Sequence, residues 1–228
     1  MLALVKDWDN HVADAEEVAR SPGFAALRER ILALAAPQAG ETVVDIGSGT
    51  GLLTLPLAGS AKRVWAIDIS ASMCEYLRAK SASAGHENVE VAVASATSLP
   101  LVDQTADLVV SNYCFHHLDD ADKVRALSEI RRVLRDGGRL VFGDMMFRVS
   151  ISDARDRRVV VSKIRSLLRL GPGGLWRLAK NALRFAGRRW EQPARASWWE
   201  QALTEAGFID VEIEVLDHEG GIARARLE

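Results

Sequence analysis

The sequence predicts an α/β fold: a doubly wound, mainly parallel sheet of seven strands that ends in an antiparallel hairpin. Between residues 41 and 146, short β-branched runs alternate with amphipathic stretches, which is typical of parallel strands connected by helices. After residue 197 the pattern changes to one helix followed by two strands and a tight loop. The chain has 228 residues, 48% of them hydrophobic, which suits a single domain with one extra segment.

The elements of the predicted domain follow in order. Residues 12–36 predict a helix that Ser21-Pro22-Gly23 interrupts, within an N-terminal helical cap over 1–40. The core over 41–146 contains five predicted strands, at Thr42–Ile46, Arg63–Ile67, Val89–Val93, Asp107–Ser111 and Arg139–Gly143. Helices are predicted at 51–59, at 71–84 behind a Ser70 cap, and at 120–135. In the last helix we expect a glycine stop and one buried face, formed by Val124, Leu127, Ile130 and Leu134 before Gly137-Gly138.

Residues 147–196 interrupt this alternation. The whole chain has a net charge of −2, but this segment holds 13 Lys/Arg and 3 Asp/Glu. It is too long for an ordinary connection, so we predict a basic helical insertion after the fifth strand. Gly171-Pro172-Gly173-Gly174 divides it into two predicted helices, the second of them strongly amphipathic. A lid over a ligand and a peripheral contact with an anionic membrane are compatible interpretations, whereas nucleic-acid binding is disfavoured because no stacking platform is recognisable.

The final unit, 197–228, and the cysteines complete the outline. A helix at 197–206 precedes strands at 211–215 and 222–227, which His218-Glu219-Gly220-Gly221 join into a hairpin. Cys74 and Cys114 provide neither a disulfide framework nor a paired metal spacing, and no metal site is predicted. Since we find neither a signal peptide nor a run of about 18 apolar residues, we expect a cytoplasmic protein.

The loop after the first strand carries the functional signal. It reads Val43-Val44-Asp45-Ile46-Gly47-Ser48-Gly49-Thr50-Gly51, in which the glycines allow a sharp turn and close approach of a ligand. The carboxylate of Asp45 would repel a phosphate and favour a cation, and the loop matches neither the dinucleotide nor the triphosphate pattern. Asp68, at the end of the second strand, can accept both hydroxyls of a ribose, with Ile69 against the purine. The ligand so described has a ribose, a purine, a positive amine or sulfonium and no pyrophosphate, and S-adenosylmethionine fits this description.

The stretch from about 41 to 143 resembles the class I S-adenosylmethionine-dependent methyltransferases, in particular the small-molecule branch that includes quinone and sterol C-methylating enzymes. Besides the glycine loop, four segments carry the resemblance: Leu99-Pro100-Leu101, Asp107-Leu108-Val109-Val110-Ser111, Phe115-His116-His117-Leu118 and Arg132-Val133-Leu134-Arg135-Asp136-Gly137-Gly138. It implies a Rossmann-like sheet and in-line transfer of a methyl group to a small-molecule or lipid-like acceptor, with S-adenosylhomocysteine as the product. The identity of the acceptor and of its accepting atom stays open.

The resemblance also implies a cofactor site. Asp45 and the loop hold the methionine part, Asp68 takes the ribose, and Asn112 falls where the amine and the methyl group lie. Where the family often has Gly-Asp-Ala, this chain has Ala94-Ser95-Ala96, so Ser95 replaces an acid at the adenine and slightly weaker binding is expected. The predicted cofactor-binding residues are Asp45, Gly47, Ser48, Gly49, Gly51, Asp68, Ile69, Met73, Ser95, Ala96 and Asn112.

Several alternatives remain at this point. His116 and His117 are candidate general bases, although packing is the favoured interpretation for His117. Asp45 could instead stabilise the turn that follows it. A nicotinamide-dependent oxidoreductase, or a cofactor-binding or cyclopropanating variant of the same fold, is an alternative function.

Overall fold

The computed structural model describes residues 22–147, 153–169 and 192–228, together with Val12, Glu16, Gly171, Gly173 and Trp176. A seven-stranded sheet runs through it in the order β3-β2-β1-β4-β5-β7-β6. The strands are β1 (Thr42–Ile46), β2 (Arg63–Asp68), β3 (Val89–Val93), β4 (Ala106–Asn112), β5 (Leu134–Met145), β6 (Phe208–Val215) and β7 (Gly220–Leu227). Strands β1 to β5 are parallel, and β7 is antiparallel to both β5 and β6. The predicted fold class, including its terminal hairpin, is confirmed.

Helices cover both faces of this sheet. In the described ranges they are α1 (Pro22–Ala35), α2 (Thr54–Ala58), α3 (Ala71–Ser83), α4 (Asp120–Val133), α5 (Ala154–Leu168) and α6 (Ala196–Glu205). Side chains alternate along β1, so Val43 packs with Leu27 and Ile31 of α1, whereas Val44 packs in the second core with α4 and α6. The sheet is therefore buried on both sides, as the β-branched runs predict.

Strands β2 and β3 lie on one side of β1, whereas β4 and the later strands lie on its other side. This change of side at β1 positions the site. Strand β2 pairs with one edge of β1 and β4 with the other, and Ile46 is in register with both Ile67 and Ser111. The carboxyl ends of the three strands consequently meet at one crevice, the usual ligand position in an open parallel sheet.

Helix α4 differs from the prediction in its buried face and its end. Val124 is 51% exposed, whereas Lys123 is fully buried because its Nζ donates to the Leu118 carbonyl oxygen, 2.8 Å away. Leu127, Ile130 and Leu134 are buried as predicted. The helix ends at Val133, before the two glycines, because Leu134 adopts an extended backbone and pairs with Ala106.

Other boundaries shift by a few residues. Helix α2 is shorter than 51–59 because residues 49–53 form turns rather than helix. The hairpin loop precedes the predicted one, since Gly220 and Gly221 already pair with β5. The second predicted helix of the insertion and most of the cap before Pro22 lie outside the described residues, and the predicted division of the domain stays a prediction.

The two ends of the insertion are fastened beside the carboxyl edge of β5. Arg155 on α5 donates to the carbonyl oxygens of Met146, Leu216, His218 and Gly220, at 2.7–3.1 Å. Arg195 donates to the buried carboxylate of Asp156 at 3.0 Å. The segment thus leaves and rejoins the core next to the crevice.

Candidate active site

Three glycines shape the loop after β1, but their surroundings differ. All have positive φ, 71° at Gly47, 49° at Gly49 and 91° at Gly51. A Cβ on Gly47 would lie 2.6 Å from the Cys114 Sγ, and one on Gly51 would lie 2.5 Å from the Leu77 Cδ1. A Cβ on Gly49 would meet nothing within 4 Å. Neighbouring side chains therefore occupy the space beside the outer glycines, whereas the middle one faces open space.

Asp68 ties the loop to the end of β2. Its Oδ2 accepts from the Gly49 N–H at 2.8 Å, and its Oδ1 accepts from the Ser70 N–H at 2.9 Å. An ionised carboxylate only accepts hydrogen bonds, which is the role that a ribose-binding acid needs. Ser70 caps α3 as predicted, accepting from the Met73 N–H at 3.2 Å.

Asp45 lies buried beneath the loop. Its Oδ2 accepts from the Thr54 hydroxyl at 2.6 Å, which connects β1 to the start of α2. Burial raises the pKa of Asp45 to about 7, and the charge of Asp68 adds to this while the Thr54 bond opposes it. The bond to Thr54 agrees with the turn-stabilising alternative, and a direct contact of Asp45 with a ligand stays a prediction.

Two buried oxygens beside the loop have no hydrogen-bond partner among the described residues: Ser48 Oγ and Asn112 Oδ1. An unpaired buried polar atom costs about 1–3 kcal/mol, so such atoms usually mark a ligand or a strained site. The ammonium group of S-adenosylmethionine carries three donors and would satisfy the Asn112 oxygen. The residues present therefore fit this cofactor.

The predicted adenine side is more open. Ile69 is 52% exposed just after β2, whereas Met73 is buried, and a contact of either side chain with the adenine stays a prediction. Ser95 Oγ lies 2.8 Å from Thr97 Oγ1 and accepts from the Thr97 N–H, so this hydroxyl is engaged in its own turn. Ala96 is half-buried beside it.

The two candidate bases lie on a single 3₁₀ turn, Phe115–His117, but in different environments. His116 is buried, and its Nδ1 lies 2.6 Å from Asp144 Oδ1. The His116 backbone N–H donates to the other oxygen of Asp144 at 3.0 Å. His117 is exposed. The two neighbouring histidines of the motif therefore lie in different environments.

Asp144 and Tyr113 are the residues that sequence reasoning missed. Asp144 sits just after Gly143 near the carboxyl end of β5, and an acid at such an edge position is the signal that could have found it. Tyr113 has φ 53°, a conformation that is rare for a non-glycine residue and clusters at functional sites. Its ring stacks on Phe24 with centroids 4.6 Å apart. Both residues border the crevice at its β4–β5 side.

Comparison with known proteins decides the family. A family model described as a methyltransferase domain matches residues 43–138. An uncharacterised methyltransferase of Geobacillus sp. strain WCH70 is 32% identical over 166 residues, covering 68% of this chain and 75% of the relative. The chain belongs to the class I S-adenosylmethionine-dependent methyltransferases.

Other relatives of this methyltransferase are matched over shorter stretches. An uncharacterised methyltransferase of Geobacillus thermodenitrificans is 38% identical over 120 residues, or 53% of this chain, and the chain spans about half, 54%, of that relative's length. The crystal structure of an S-adenosylmethionine-dependent methyltransferase from Aquifex aeolicus has a TM-score of 0.66 at 21% identity, covering 95% of this chain and 98% of the other, which shows the shared fold. The oxidoreductase alternative finds no support among these matches.

Proposed function

We propose that the chain transfers the methyl group of S-adenosylmethionine to a small-molecule or lipid-like acceptor by in-line displacement. The observations that carry the proposal are the open space at Gly49, whose N–H is bonded to the Asp68 carboxylate, and the Asn112 oxygen at the end of the neighbouring strand β4, which has no partner among the described residues. Asp68 would hold the ribose and Asn112 the amine. Ile69 would cover one face of the adenine, with Met73, Ser95 and Ala96 around it.

The bound cofactor supplies a methyl group already activated on a sulfonium. The protein consequently has to align the acceptor and exclude water, which can contribute several kcal/mol of the barrier reduction. Within the described ranges, no cluster of three or more His, Cys, Asp and Glu side chains is arranged to hold a metal ion.

Asp68→Asn tests the cofactor site, because it preserves shape and removes the charge. Hydrogen bonds to a charged group are worth about 1.5–3 kcal/mol, so we expect S-adenosylmethionine affinity to fall roughly 10- to 100-fold in titration calorimetry. Asp210→Asn is the matched control, since Asp210 lies on the edge strand β6 and pairs with Arg226. Equal affinity of Asp68→Asn and the unaltered chain would contradict the proposal.

Deuterium-labelled cofactor distinguishes methyl transfer from the related alternatives. Methyl transfer places an intact trideuteromethyl group on the product, cyclopropanation keeps only two of the deuterium atoms, and a binding module transfers none. Mass spectrometry of products formed from a metabolite extract reports which occurs, and only the first outcome is compatible with the proposal.

As a second part, we propose that α5 contacts an anionic membrane surface from which a lipid-like acceptor could be drawn. Apolar side chains are exposed on this helix next to arginines, at Val161, Ile164 and Leu168, and at Arg157, Arg158, Arg165 and Arg169. Each basic residue near an anionic bilayer contributes about 1 kcal/mol. None of the helices in the described ranges is long and apolar enough to cross a membrane.

Cosedimentation with phosphatidylserine-containing vesicles tests this contact. Arg165→Glu reverses one charge of the proposed surface and should weaken binding about tenfold or more, whereas Lys62→Glu, exposed before β2, should leave it unchanged. Binding should also fall with salt. If cosedimentation changes neither with salt nor with Arg165→Glu, the proposed membrane contact is overturned, and the methyltransferase proposal is not affected.

A further inference from the structure

His116 and Asp144 form a buried pair at the border of the cofactor crevice. The carboxylate makes two contacts with one residue, to the Nδ1 of His116 at 2.6 Å and to its backbone N–H at 3.0 Å. An ionised carboxylate only accepts hydrogen bonds, so the Nδ1 must carry the proton. The Nε2 of the neutral ring is then left with a lone pair, which is the form that a general base needs.

The position of the pair links it to the reaction centre. The turn that carries His116 begins at Cys114, whose side chain packs against the place where a Gly47 side chain would be. Asn112, with its unpaired oxygen, ends the strand that leads into this turn. The Gln192 N–H donates to the His116 carbonyl oxygen at 2.7 Å, so the returning end of the insertion lies against the same residue.

The titratable groups of the described residues that lie against His116 come from β5, from the end of β4 and from its own turn. Asp144 approaches from β5, and the Tyr113 ring at the end of β4 lies edge-on with its centroid 5.9 Å away. The ring of His117, on the same turn, is 3.9 Å from it between centroids. Burial raises the pKa of the Tyr113 phenol above its usual range, and the charges of Glu219 in the hairpin loop and of Asp144 add to this.

We infer that His116 is the general base of the reaction, that Asp144 is its positioning residue, and that the acceptor is a group that loses a proton, a hydroxyl or an acidic C–H. This rests on the proposed methyl transfer. The acceptor oxygen or carbon forms a bond to the methyl carbon while its proton moves to the Nε2 of His116. The carbon–sulfur bond breaks with its electron pair going to sulfur, and the resulting imidazolium is paired with Asp144. A weakly basic amine such as aniline is already uncharged at neutral pH, so it attacks with a free lone pair and needs no such buried base.

The tautomer of His116 is the first test, and it does not depend on turnover. Nitrogen-15 NMR of the full chain at neutral pH should show His116 protonated at Nδ1, and Asp144→Asn should shift population toward the Nε2–H form. S-adenosylmethionine affinity should stay within about twofold of the unaltered chain in Asp144→Asn and in His116→Gln, since neither residue belongs to the cofactor cradle. An Nε2–H tautomer in the unaltered chain would overturn the inference.

Transfer to phenol and to aniline, as matched probes, is the second test. General-base catalysis contributes about 10²- to 10⁴-fold, so His116→Gln should slow methylation of phenol by at least about 100-fold in kcat with little change in KM. His86→Gln, a control in the loop before β3, should stay within about twofold. In the unaltered chain kcat/KM should fall at acidic pH, because protonated His116 cannot accept a proton, and Asp144→Asn should displace this limb.

The contrary outcomes distinguish a failure of the proposed methyl transfer from a failure of the assignment of His116 as general base. If S-adenosylmethionine does not bind, the proposed function fails. If it binds but His116→Gln methylates phenol as well as the unaltered chain does, the inference fails and methyl transfer stands. Transfer to aniline but not to phenol also overturns the assignment of a proton-losing acceptor.

Discussion

Gly47 and Gly49 share a left-handed backbone, but only one of them is open to a ligand. The side-chain direction of Gly47 is blocked by Cys114, whereas that of Gly49 points into empty space next to Asp68. Two glycines of one motif therefore differ in their surroundings: Gly47 is packed against Cys114, whereas the space beside Gly49 is open and is proposed to admit the cofactor. This difference can be measured because stability and affinity respond separately.

Gly47→Ala should mainly lower the stability of the fold, whereas Gly49→Ala should mainly lower the affinity for S-adenosylmethionine. Both pay about 1–2 kcal/mol for an alanine at positive φ. Gly47→Ala adds a clash with Cys114 worth about 1–3 kcal/mol, whereas Gly49→Ala adds none but places a methyl group where the cofactor fits. We expect denaturant unfolding to show the larger loss for Gly47→Ala. Calorimetry should show at least about tenfold weaker S-adenosylmethionine binding for Gly49→Ala, and undiminished binding would refute its role.

Asp45 should make stability depend on pH. Its pKa is raised from 3.8 to about 7 in the folded chain, so between these values the folded protein holds a proton that the unfolded chain has lost. The free energy of unfolding contributed by this group is therefore present at low pH and is lost as the pH rises from about 4 to 7. Relative to Asp45→Asn, the unaltered chain without cofactor should lose stability between pH 5 and pH 8 in urea titrations. A difference that is flat with pH would contradict the raised pKa, and Asp210→Asn provides the exposed control.

At the scale of elements, helix α4 shows which buried positions the apolar periodicity of a sequence predicts and which it does not. The apolar spacing identifies the helix and most of its buried face, yet Val124 points to solvent and the aliphatic part of Lys123 takes an inner position. The reason is that the Leu118 carbonyl oxygen offers the Lys123 ammonium a partner at the helix start, so its stem can be buried while its charge stays bonded. Hydropathy by itself assigns lysine to the outside and valine to the inside.

Alanine substitutions on α4 measure this correction. Ile130→Ala should reduce the free energy of unfolding by about 2–5 kcal/mol because it leaves a cavity in the core. Val124→Ala should change it by less than about 0.5 kcal/mol, since the side chain is half exposed and alanine favours the helix. Comparable losses in the two variants would show that Val124 is buried after all.

At the scale of the molecule, the sheet order brings distant segments to one edge. Strand β7, the last in sequence, lies between β5 and β6, so the hairpin loop comes to rest beside the end of β5 and the start of the insertion. Arg155 uses this proximity, donating to Met146 before the insertion and to Leu216 and His218 in the hairpin loop. One guanidinium thus joins three parts of the chain.

Replacing Arg155 should loosen this junction. Its donors form a planar fork that lysine cannot reproduce, so we expect Arg155→Lys and Arg155→Ala each to lower the free energy of unfolding by about 2–3 kcal/mol. Arg224→Ala, which removes an exposed pair with Glu212, should cost less than about 1 kcal/mol. If Arg155→Lys unfolds at the same urea concentration as the unaltered chain, the junction is not a source of stability.

The sequence by itself determined the sheet class, the glycine loop, and the kind of cofactor that Asp45 and Asp68 accompany. These features are local: strand periodicity, a turn that only glycine tolerates, and an acid at a strand end can each be recognised within a few neighbouring residues. The tertiary structure alone decided that Asp45 bonds to Thr54, that Asn112 Oδ1 has no hydrogen-bond partner among the described residues, and that His116 meets a buried carboxylate. His116 and Asp144 are 28 residues apart and come together only because β4 and β5 are neighbours in the sheet, and no local pattern specifies such a pairing.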